Sequence, residues 1–179
     1  MSSSSTTRPP RAAFPSLDQV LALPSEYRVV VPHEFSDGNG HMNIARYMQL
    51  HSDGGWAYFA RFGLSEESAA AGGPTTFDVE HHIVYRREVL AGHDVSVHVR
   101  LIDRSDTALH SLQFLVNRTT GEVANSHEAL SLSVDLRTRT IAPIPQDLAS
   151  LLDARLAVDR SLDWDPPLSG AMAVRRRPG

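Results

Sequence analysis

Residues 43–64 read NIARYMQLHSDGGWAYFARFGL, and apolar side chains recur through this stretch at intervals of three and four. That spacing places them along one face of an α-helix of about six turns. We therefore predict a long helix over residues 43–62. Its mostly apolar face comprises Ile44, Tyr47, Met48, His51, Gly55, Tyr58, Phe59 and Phe62.

Two adjacent glycines, Gly54 and Gly55, lie inside this predicted helix. Each of them costs roughly 1 kcal/mol of helix stability relative to alanine. Close approach of another backbone at this point is the simplest compensation, and a kink or a break is the alternative. We expect one of these features at the middle of the helix.

The hydrophobic period changes from 3.6 to 2 after this helix. Alternating apolar and polar residues are typical of strands in an antiparallel sheet with one apolar face. The predicted strands span 77–89, 94–102, 109–117 and 127–136. Around them we predict a short helix at 16–23, a first strand at 26–35, a loop at 66–76, a hairpin tip at 117–122 and a final helix at 145–156.

These elements predict an α+β domain in which a curved antiparallel sheet wraps around one central helix. The expected domain spans 16–157, between a disordered tail at 1–15 and a flexible, aperiodic tail at 158–179 that ends in Arg175, Arg176 and Arg177. One helix covers such a sheet incompletely, and its edges are open to pairing. We therefore expect at least a homodimer.

The composition of the chain excludes several classes of function. The 179 residues carry a net charge of -4 and no cysteine. This balance disfavours a nucleic-acid binder, and the missing cysteines exclude disulfides, a thiol nucleophile and cysteine-ligated zinc. No apolar run reaches the ~20 residues of a membrane span, and the N-terminus lacks the apolar segment of a secretory signal. We expect a cytoplasmic protein.

No metal site is expected from the nine histidines. His81 and His82 are adjacent in a predicted strand, so their side chains point to opposite faces of the sheet. No histidine pair with the spacing of a helical metal site is present in the sequence.

Residues 36–47, SDGNGHMNIARY, concentrate functional groups where the long helix begins. Asp37, Asn39 and His41 follow one another at every second position, and a helix cap needs only one such side chain. A helix N-terminus also offers free N–H groups to a developing oxyanion, and a carboxylate beside it can attack a carbonyl or activate water. A simple turn with a cap remains the alternative.

The segment DGNGHMNIARY, which begins at Asp37, closely resembles the Asp-x-Asn-x-His-(Val/Met)-Asn signature at the start of the central helix in hotdog-fold thioesterases. Its first part is also similar to the 4-hydroxybenzoyl-CoA thioesterases. VYRREVLAGHDVSV, residues 84–97, resembles a strand motif of plant acyl-carrier-protein thioesterases. A wider resemblance to bacterial single-domain thioesterases of carnitine and betaine metabolism covers about residues 28–155.

This resemblance implies a hotdog fold and an acyl-CoA thioesterase. By position, Asp37 matches the family's essential carboxylate, as nucleophile or as general base on water. Asn39 and His41 match residues that position it. Glu88 matches a candidate water activator, which the neighbouring subunit could supply because the family's sites lie at subunit interfaces. The sequence departs from the family pattern at Ile44, where many relatives carry a second Asn, and at Ser52, where many carry an acid.

The same resemblance implies an acyl-CoA substrate, no cofactor beyond its CoA, no membrane or nucleic-acid partner, and a homodimer or dimer of dimers. Two alternatives stay open: a thioesterase for acyl-carrier-protein substrates, and a hotdog protein that binds acyl-CoA without cleaving it. The expected substrate-binding residues are Gly40, Asn43, Tyr47, Trp56, Phe59, Arg86 and Arg87.

Overall fold

The computed structural model describes residues 13–175 of the chain. Most of the predicted N-terminal tail and Arg176 and Arg177 therefore lie outside the described residues. In chain order the elements are α1 Leu17–Leu21, β1 Tyr27–Val30, a 3-10 turn His33–Phe35, α2 Ile44–Ala60, α3 Glu66–Ala70, β2 Thr75–Tyr85, β3 Asp94–Arg104, β4 Ala108–Asn117, β5 Glu122–Asp135, β6 Thr140–Ile141 and α4 Gln146–Arg160.

The strands form one antiparallel sheet in the order β1-β3-β4-β5-β2, and the short β6 pairs with the end of β5. This order places β1 and β2 at the two edges. The long helix α2 packs mainly on β3, β1 and β4, so a cleft is left between α2 and the β5-β2 side of the sheet. The hotdog fold expected from the sequence is confirmed.

The middle of α2 lies unusually close to the sheet. A Cβ atom at Gly54 would stand 2.5 Å from the Cβ of Val97 on β3, and one at Gly55 would stand 3.1 Å from the Nε2 of Gln113 on β4. The helix is continuous through both glycines. The predicted close approach is confirmed, although side chains rather than a backbone meet the helix.

The buried face of α2 differs in part from the predicted one. Ile44 is 66% exposed, whereas Leu50 and Gly54 are buried. Ile44 is the first residue of α2, where no other element packs over the helix. It therefore stays exposed although it continues the apolar pattern. The face that packs inward is formed by Tyr47, Leu50, His51, Gly54, Gly55 and Tyr58.

The outer face of the sheet is covered as well. This corrects two predictions, namely that only one face of the sheet is apolar and that the C-terminal segment is a free tail. β4 is buried along its whole length. Trp164 and Leu168 pack on this outer face with α1, and Met172 and Val174 cover the end that carries Ala108. Phe14, inside the predicted N-terminal tail, packs edge-on against Phe114.

Smaller differences concern the segments around β2. The predicted loop at 66–76 contains the short helix α3, capped by Ser65. A shift of register between Asp78 and Glu80 interrupts the strict alternation expected along β2. The strand ends at Tyr85 rather than at residue 89, so Arg86–Glu88 follow it as irregular backbone. Between residues 13 and 175, the helices are too short or too polar to cross a membrane.

Candidate active site

The segment before α2 folds into a tight turn that presents Asp37. The N–H of Asp37 donates to the carbonyl of His41 at 3.0 Å, and the N–H of Gly40 donates to the carbonyl of Asp37 at 3.0 Å. Gly40 has a φ of +83°, a conformation that side chains with a Cβ rarely adopt. The glycine therefore shapes the turn.

The carboxylate of Asp37 is held by the backbone of its own turn. Its Oδ1 accepts a 2.9 Å hydrogen bond from the N–H of Asn39. The Nδ1 of His41 lies 3.9 Å from the same oxygen, which is beyond hydrogen-bonding distance. Asn39 thus reaches Asp37 through its main chain, while the residue itself is exposed. His41 lies next to the carboxylate without being bonded to it.

Main-chain hydrogen bonds attach this turn to the segment after β2. The N–H of Met42 donates to the carbonyl of Val89 at 2.7 Å, and the N–H of Val89 donates to the hydroxyl of Tyr47 at 3.2 Å. Glu88 precedes Val89 in the chain. Two segments that are 50 residues apart in sequence are thereby brought to one place.

Asp37 and Glu88 line the same cavity, of about 400 Å³, at the start of α2. We call it the carboxylate cavity. Of the residues predicted to form the site, it contains Asp37, His41, Tyr47, Arg86, Arg87 and Glu88, and its other lining residues are Met42, Ile44 and Tyr85.

The start of α2 lies at this cavity. Asn43 caps the helix, and its side-chain oxygen accepts from the N–H of Ala45 at 2.9 Å. The N–H of Ile44 has no hydrogen-bond partner among the described residues. The first N–H groups of a helix carry the positive end of its dipole. The carboxylate cavity, which Ile44 lines, therefore lies at the positive end of this helix.

Tyr47 forms the inner wall of the carboxylate cavity. It is 5% exposed, and its ring meets that of Tyr85 edge-on, with ring centroids 5.1 Å apart. Burial raises the pKa of Tyr47, so the phenol stays protonated. Because its oxygen already accepts from Val89, the hydroxyl hydrogen is available for donation.

Arg86 and Arg87 stand at the rim of the carboxylate cavity, and both are exposed. The guanidinium of Arg86 lies 4.0 Å from the centre of the Phe14 ring, and the Nε of Arg87 donates to Glu122 at 2.9 Å. Both guanidinium groups therefore already have a partner among the described residues.

A second cavity, of about 340 Å³, lies further along the cleft between α2 and β2. Trp56 and Phe59, two of the predicted substrate-binding residues, line this cavity and not the first. Three histidines also line it, so we call it the histidine cavity. Its lining residues are Met48, His51, Ser52, Gly55, Trp56, Phe59, Leu64, Thr76, Phe77, Asp78, His81, Ser111, Gln113, His127, Ala129 and Ser131.

The imidazoles of the histidine cavity form a hydrogen-bonded cluster. The two ring nitrogens of His51 lie 3.2 Å from Oε1 of Gln113 and 2.9 Å from Oδ1 of Asn125. The Nδ1 of His81 lies 2.6 Å from the Nε2 of His127. Burial lowers the pKa of His51 to about 4 and, with the neighbouring histidines, that of His127 to about 2. Both rings are therefore neutral at pH 7.

Sequence reasoning missed this cluster. His51 was placed on the apolar face of the helix, and no partner was assigned to it. The signal available in the sequence was alternation within buried strands. On β4 the polar residues Ser111 and Gln113 lie two positions apart, and on β5 so do Asn125 and His127. Within residues 13–175, no group of three or more His, Asp or Glu side chains is arranged to hold a metal ion.

The position of Asp53, one residue past the acidic position of many similar proteins, is also settled. Its carboxylate accepts a 3.1 Å hydrogen bond from the hydroxyl of Tyr27 and lines neither cavity. Ser52 lines the histidine cavity. The offset from the family pattern therefore places Asp53, the acidic residue of α2, outside both cavities.

Comparison with known proteins gives a consistent picture. Residues 30–152 match the sequence model of the thioesterase-like superfamily. The chain is 33% identical over 139 residues to an L-carnitine dehydrogenase/betainyl-CoA thioesterase of Agrobacterium fabrum, which corresponds to 78% of this chain and 28% of that protein. It is 28% identical over 146 residues to a betainyl-CoA thioesterase of Pseudomonas aeruginosa, which corresponds to 82% of this chain and 90% of that protein.

A solved structure shows the same fold. A Staphylococcus aureus protein, characterised in complex with CoA, superposes with a TM-score of 0.74 at 23% sequence identity. The match covers 86% of this chain and 97% of that protein. At this identity the likeness concerns the fold.

Proposed function

We propose that this chain, which belongs to the thioesterase-like superfamily, is an acyl-CoA thioesterase that hydrolyses a CoA thioester to a carboxylic acid and free CoA. The observation that carries the proposal is the meeting of Asp37, Glu88 and the N-terminus of α2, at Ile44, at one cavity. A thioester hydrolase needs a carboxylate or an activated water beside an oxyanion donor, and these three groups supply both.

In this account the thioester carbonyl lies at the N-terminus of α2. The N–H of Ile44 donates to its oxygen, and the positive end of the helix dipole stabilises the charge that develops there. One good oxyanion donor typically contributes about 3 kcal/mol of transition-state stabilisation. The protonated hydroxyl of Tyr47 is a second donor within the same cavity.

Asp37 begins the reaction by one of two routes. As a general base it removes a proton from water, the resulting hydroxide attacks the carbonyl carbon, and the tetrahedral intermediate expels the CoA thiolate, which takes up a proton. As a nucleophile it attacks the carbonyl itself, expels the thiolate and forms an anhydride that water then hydrolyses. After a single turnover in ¹⁸O-labelled water, ¹⁸O in the Asp37 carboxylate would identify the nucleophilic route with water opening the anhydride at the Asp37 carbonyl.

Glu88 and His41 assist at the same cavity. Glu88 provides a second acceptor for the protons of a water molecule, and the Nδ1 of His41 lies 3.9 Å from the carboxylate of Asp37. Both Asp37 and Glu88 belong to the same chain in this arrangement, so a neighbouring subunit is not needed to bring Glu88 to Asp37.

The acyl group that we propose to test first is betainyl. The two curated relatives carry that activity in their names. A quaternary ammonium next to the carbonyl would lie among the rings of Tyr47 and Tyr85 and the carboxylates of Asp37 and Glu88. Aromatic faces and carboxylates are the groups that attract such a cation.

We also propose that two copies pair through β2. This edge strand exposes a row of large apolar side chains: Phe77 is 65% exposed, Val79 42% and Tyr85 44%. An open, apolar edge strand favours pairing with another strand. Antiparallel pairing about a two-fold axis would set the first half of β2 in one copy beside the last half in the other.

The proposal is tested by release of free thiol from a panel of acyl-CoAs, including betainyl-CoA, by the purified chain. We expect multiple turnovers on at least one CoA thioester. If only the matched acyl-carrier-protein substrates are hydrolysed, the substrate is an acyl-carrier-protein thioester and not an acyl-CoA. Tight binding of acyl-CoA without turnover across the panel would contradict the enzyme and indicate a binding protein.

A further inference from the structure

We infer that the histidine cavity is a binding site for a quaternary ammonium group, which Asp78 and Trp56 recognise. The site is separate from the carboxylate cavity, since none of the described residues lines both. The ammonium group can belong to a free small molecule or to the far end of an acyl group, and only the second source rests on the proposed function. Three features of the lining carry the inference: a carboxylate, an aromatic helix face and the lack of a cation.

Asp78 carries its carboxylate on the cavity side of the sheet. It is the cross-strand partner of Ser131, and such partners project from the same face. Ser131 alternates along β5 with His127 and Ala129 on one face, and all three line the cavity. One carboxylate oxygen of Asp78 accepts a hydrogen bond from the Ser131 hydroxyl, and the other lies 3.9 Å from the Nε2 of His81. The carboxylate is therefore held between two side chains of the lining.

The helix wall of the cavity offers aromatic and apolar surface. The lining residues on α2 follow one another at intervals of three and four, so they form one face of the helix. Trp56 and Phe59 are partly buried on this face. Aromatic rings attract a cation to their faces, and methyl groups on the cation bury apolar surface against them. The residues of this face are Met48, His51, Ser52, Gly55, Trp56 and Phe59.

The lining provides no strong counter-charge for an anion. Among the described residues, no arginine lines the cavity, and Asp78 is its only acidic residue. Burial lowers the pKa of His51 to about 4 and that of His127 to about 2, so neither ring is charged at pH 7. An anion would lose hydration here without gaining a cation, which is costly. A cation instead meets a carboxylate.

Among cations, a quaternary ammonium suits the lining best. Within residues 13–175, no group of three or more His, Asp or Glu side chains is arranged to hold a metal ion. A primary ammonium has three N–H donors to satisfy, whereas one oxygen of Asp78 and the Oε1 of Gln113 already have partners. A trimethylammonium group needs no hydrogen bond, so charge and apolar contact are enough to hold it.

The exposure of Asp78 makes the site accessible. Its side chain is 46% exposed, so the carboxylate lies at the mouth of the cavity and is hydrated when no ligand is bound. A free cation reaches it from solvent. In the proposed β2-paired dimer, the half of β2 that carries Asp78 lies beside the half of the second copy that ends at Tyr85, on that copy's carboxylate cavity. An acyl group held there would enter the histidine cavity by this route.

Choline and its neutral isostere 3,3-dimethylbutan-1-ol test the site with a free molecule. The chain has two tryptophans, and Trp164 packs on the outer face of the sheet, so Trp164→Phe leaves Trp56 as the fluorescent reporter. We expect choline to change this fluorescence saturably and to bind at least about fivefold more tightly than the isostere. Asp78→Asn should remove most of this preference, and Trp56→Leu, followed by calorimetry, should weaken it.

Glu80→Gln is the matched control, because Glu80 is an exposed acid on the same strand and lines neither cavity. It should keep the preference for choline. Asp37→Asn should keep it too, which separates this site from the carboxylate cavity. Equal affinities for choline and the isostere, or a preference that Asp78→Asn and Trp56→Leu both retain, would overturn a site for free cations.

A pair of acyl-CoAs tests the second source. The pair is 6-trimethylammoniohexanoyl-CoA and its neutral isostere 7,7-dimethyloctanoyl-CoA, titrated into Asp37→Asn so that binding is measured without turnover. Tighter binding of the cationic member, lost when Asp78→Asn is added, would assign the site to the acyl group. Choline selectivity without acyl selectivity would assign it to a free molecule, and the absence of both would overturn the inference. Neither titration depends on hydrolysis, so failure of the thioesterase proposal would appear separately, as a lack of thiol release by the wild type.

Discussion

Met42 and Val89 are joined by a main-chain hydrogen bond of 2.7 Å, and this bond fixes the turn that carries Asp37 to the segment that carries Glu88. Val89 is completely buried, so the junction is sheltered from water. The two carboxylates therefore owe their proximity to the backbone of their neighbours. Changes at this junction should affect activity and stability together.

Tyr47→Phe tests the junction. The substitution removes the hydroxyl that accepts the N–H of Val89 and leaves that buried donor unpaired. We expect the free energy of unfolding to fall by about 1–2 kcal/mol, measured by urea denaturation, and thiol release to slow. Tyr85→Phe is the matched control, since it removes the hydroxyl of a half-exposed ring. Equal stabilities of both variants would contradict the role given to Tyr47.

Gly54→Ala tests the contact between α2 and β3. Alanine favours the helix by roughly 1 kcal/mol, but its Cβ would lie 2.5 Å from that of Val97. We expect overpacking to prevail and to destabilise the protein by about 1–3 kcal/mol. Val97→Gly, which removes the Cβ and both γ carbons that the new methyl would meet, should relieve part of this cost, so the double variant should be more stable than the sum of the single effects. Strict additivity would show that the two residues do not clash.

The buried histidines predict an acid-sensitive fold. The folded-state pKa of His51 is lowered to about 4 and that of His127 to about 2, whereas an unfolded histidine titrates near ~6.5. Below pH ~6.5 the unfolded chain binds protons that the folded chain does not, so stability should fall on acidification from there towards pH 4.

His98, whose pKa burial also lowers, adds to the same slope of stability against pH, and each buried histidine contributes up to about 1.4 kcal/mol per pH unit. In urea denaturation at pH 7, 6 and 5, His127→Phe should show a shallower slope than the wild type. Ser126→Ala, a neighbour without a titrating group, should keep the wild-type slope. An unchanged slope in His127→Phe would mean that this ring is not buried as a neutral group.

The exposed edge of β2 predicts that a charge there prevents self-association. Val79→Lys places an ammonium on the edge strand, and we expect a monomer by sedimentation velocity where the wild type is a dimer. Val158→Lys changes a 53% exposed valine on α4 and should leave the dimer intact. A monomeric wild type, or a dimer in Val79→Lys, would contradict pairing through β2.

The long helix and the four long strands were predictable because their hydrophobic periods are strong and local. α2 differs from the prediction by one or two residues at each end, and β3 begins at the predicted residue. The C-terminal segment was not predictable in this way, since Trp164 and Leu168 bind an outer face that exists only once the sheet has formed.

The two cavities illustrate the same limit. Asp37, Asn39 and His41 are neighbours in sequence, so their pattern was visible. It was not visible that Asn39 contacts Asp37 through its main-chain N–H. The histidine cavity joins His51 on α2 to Gln113 on β4 and His127 on β5. Side chains so far apart in sequence meet only through the register of the sheet, which periodicity alone does not specify.

Thiol release by Asp37→Asn measures the central claim most directly. The substitution keeps the size of the side chain and an oxygen that can accept from Asn39, but it removes the charge that would attack the carbonyl or activate water. Asp53→Asn is the matched control, because Asp53 lies on α2 outside both cavities. We expect Asp53→Asn to retain wild-type turnover and Asp37→Asn to lose at least a hundredfold in kcat with unchanged thermal unfolding; release of CoA by Asp37→Asn at a near wild-type rate would contradict the account.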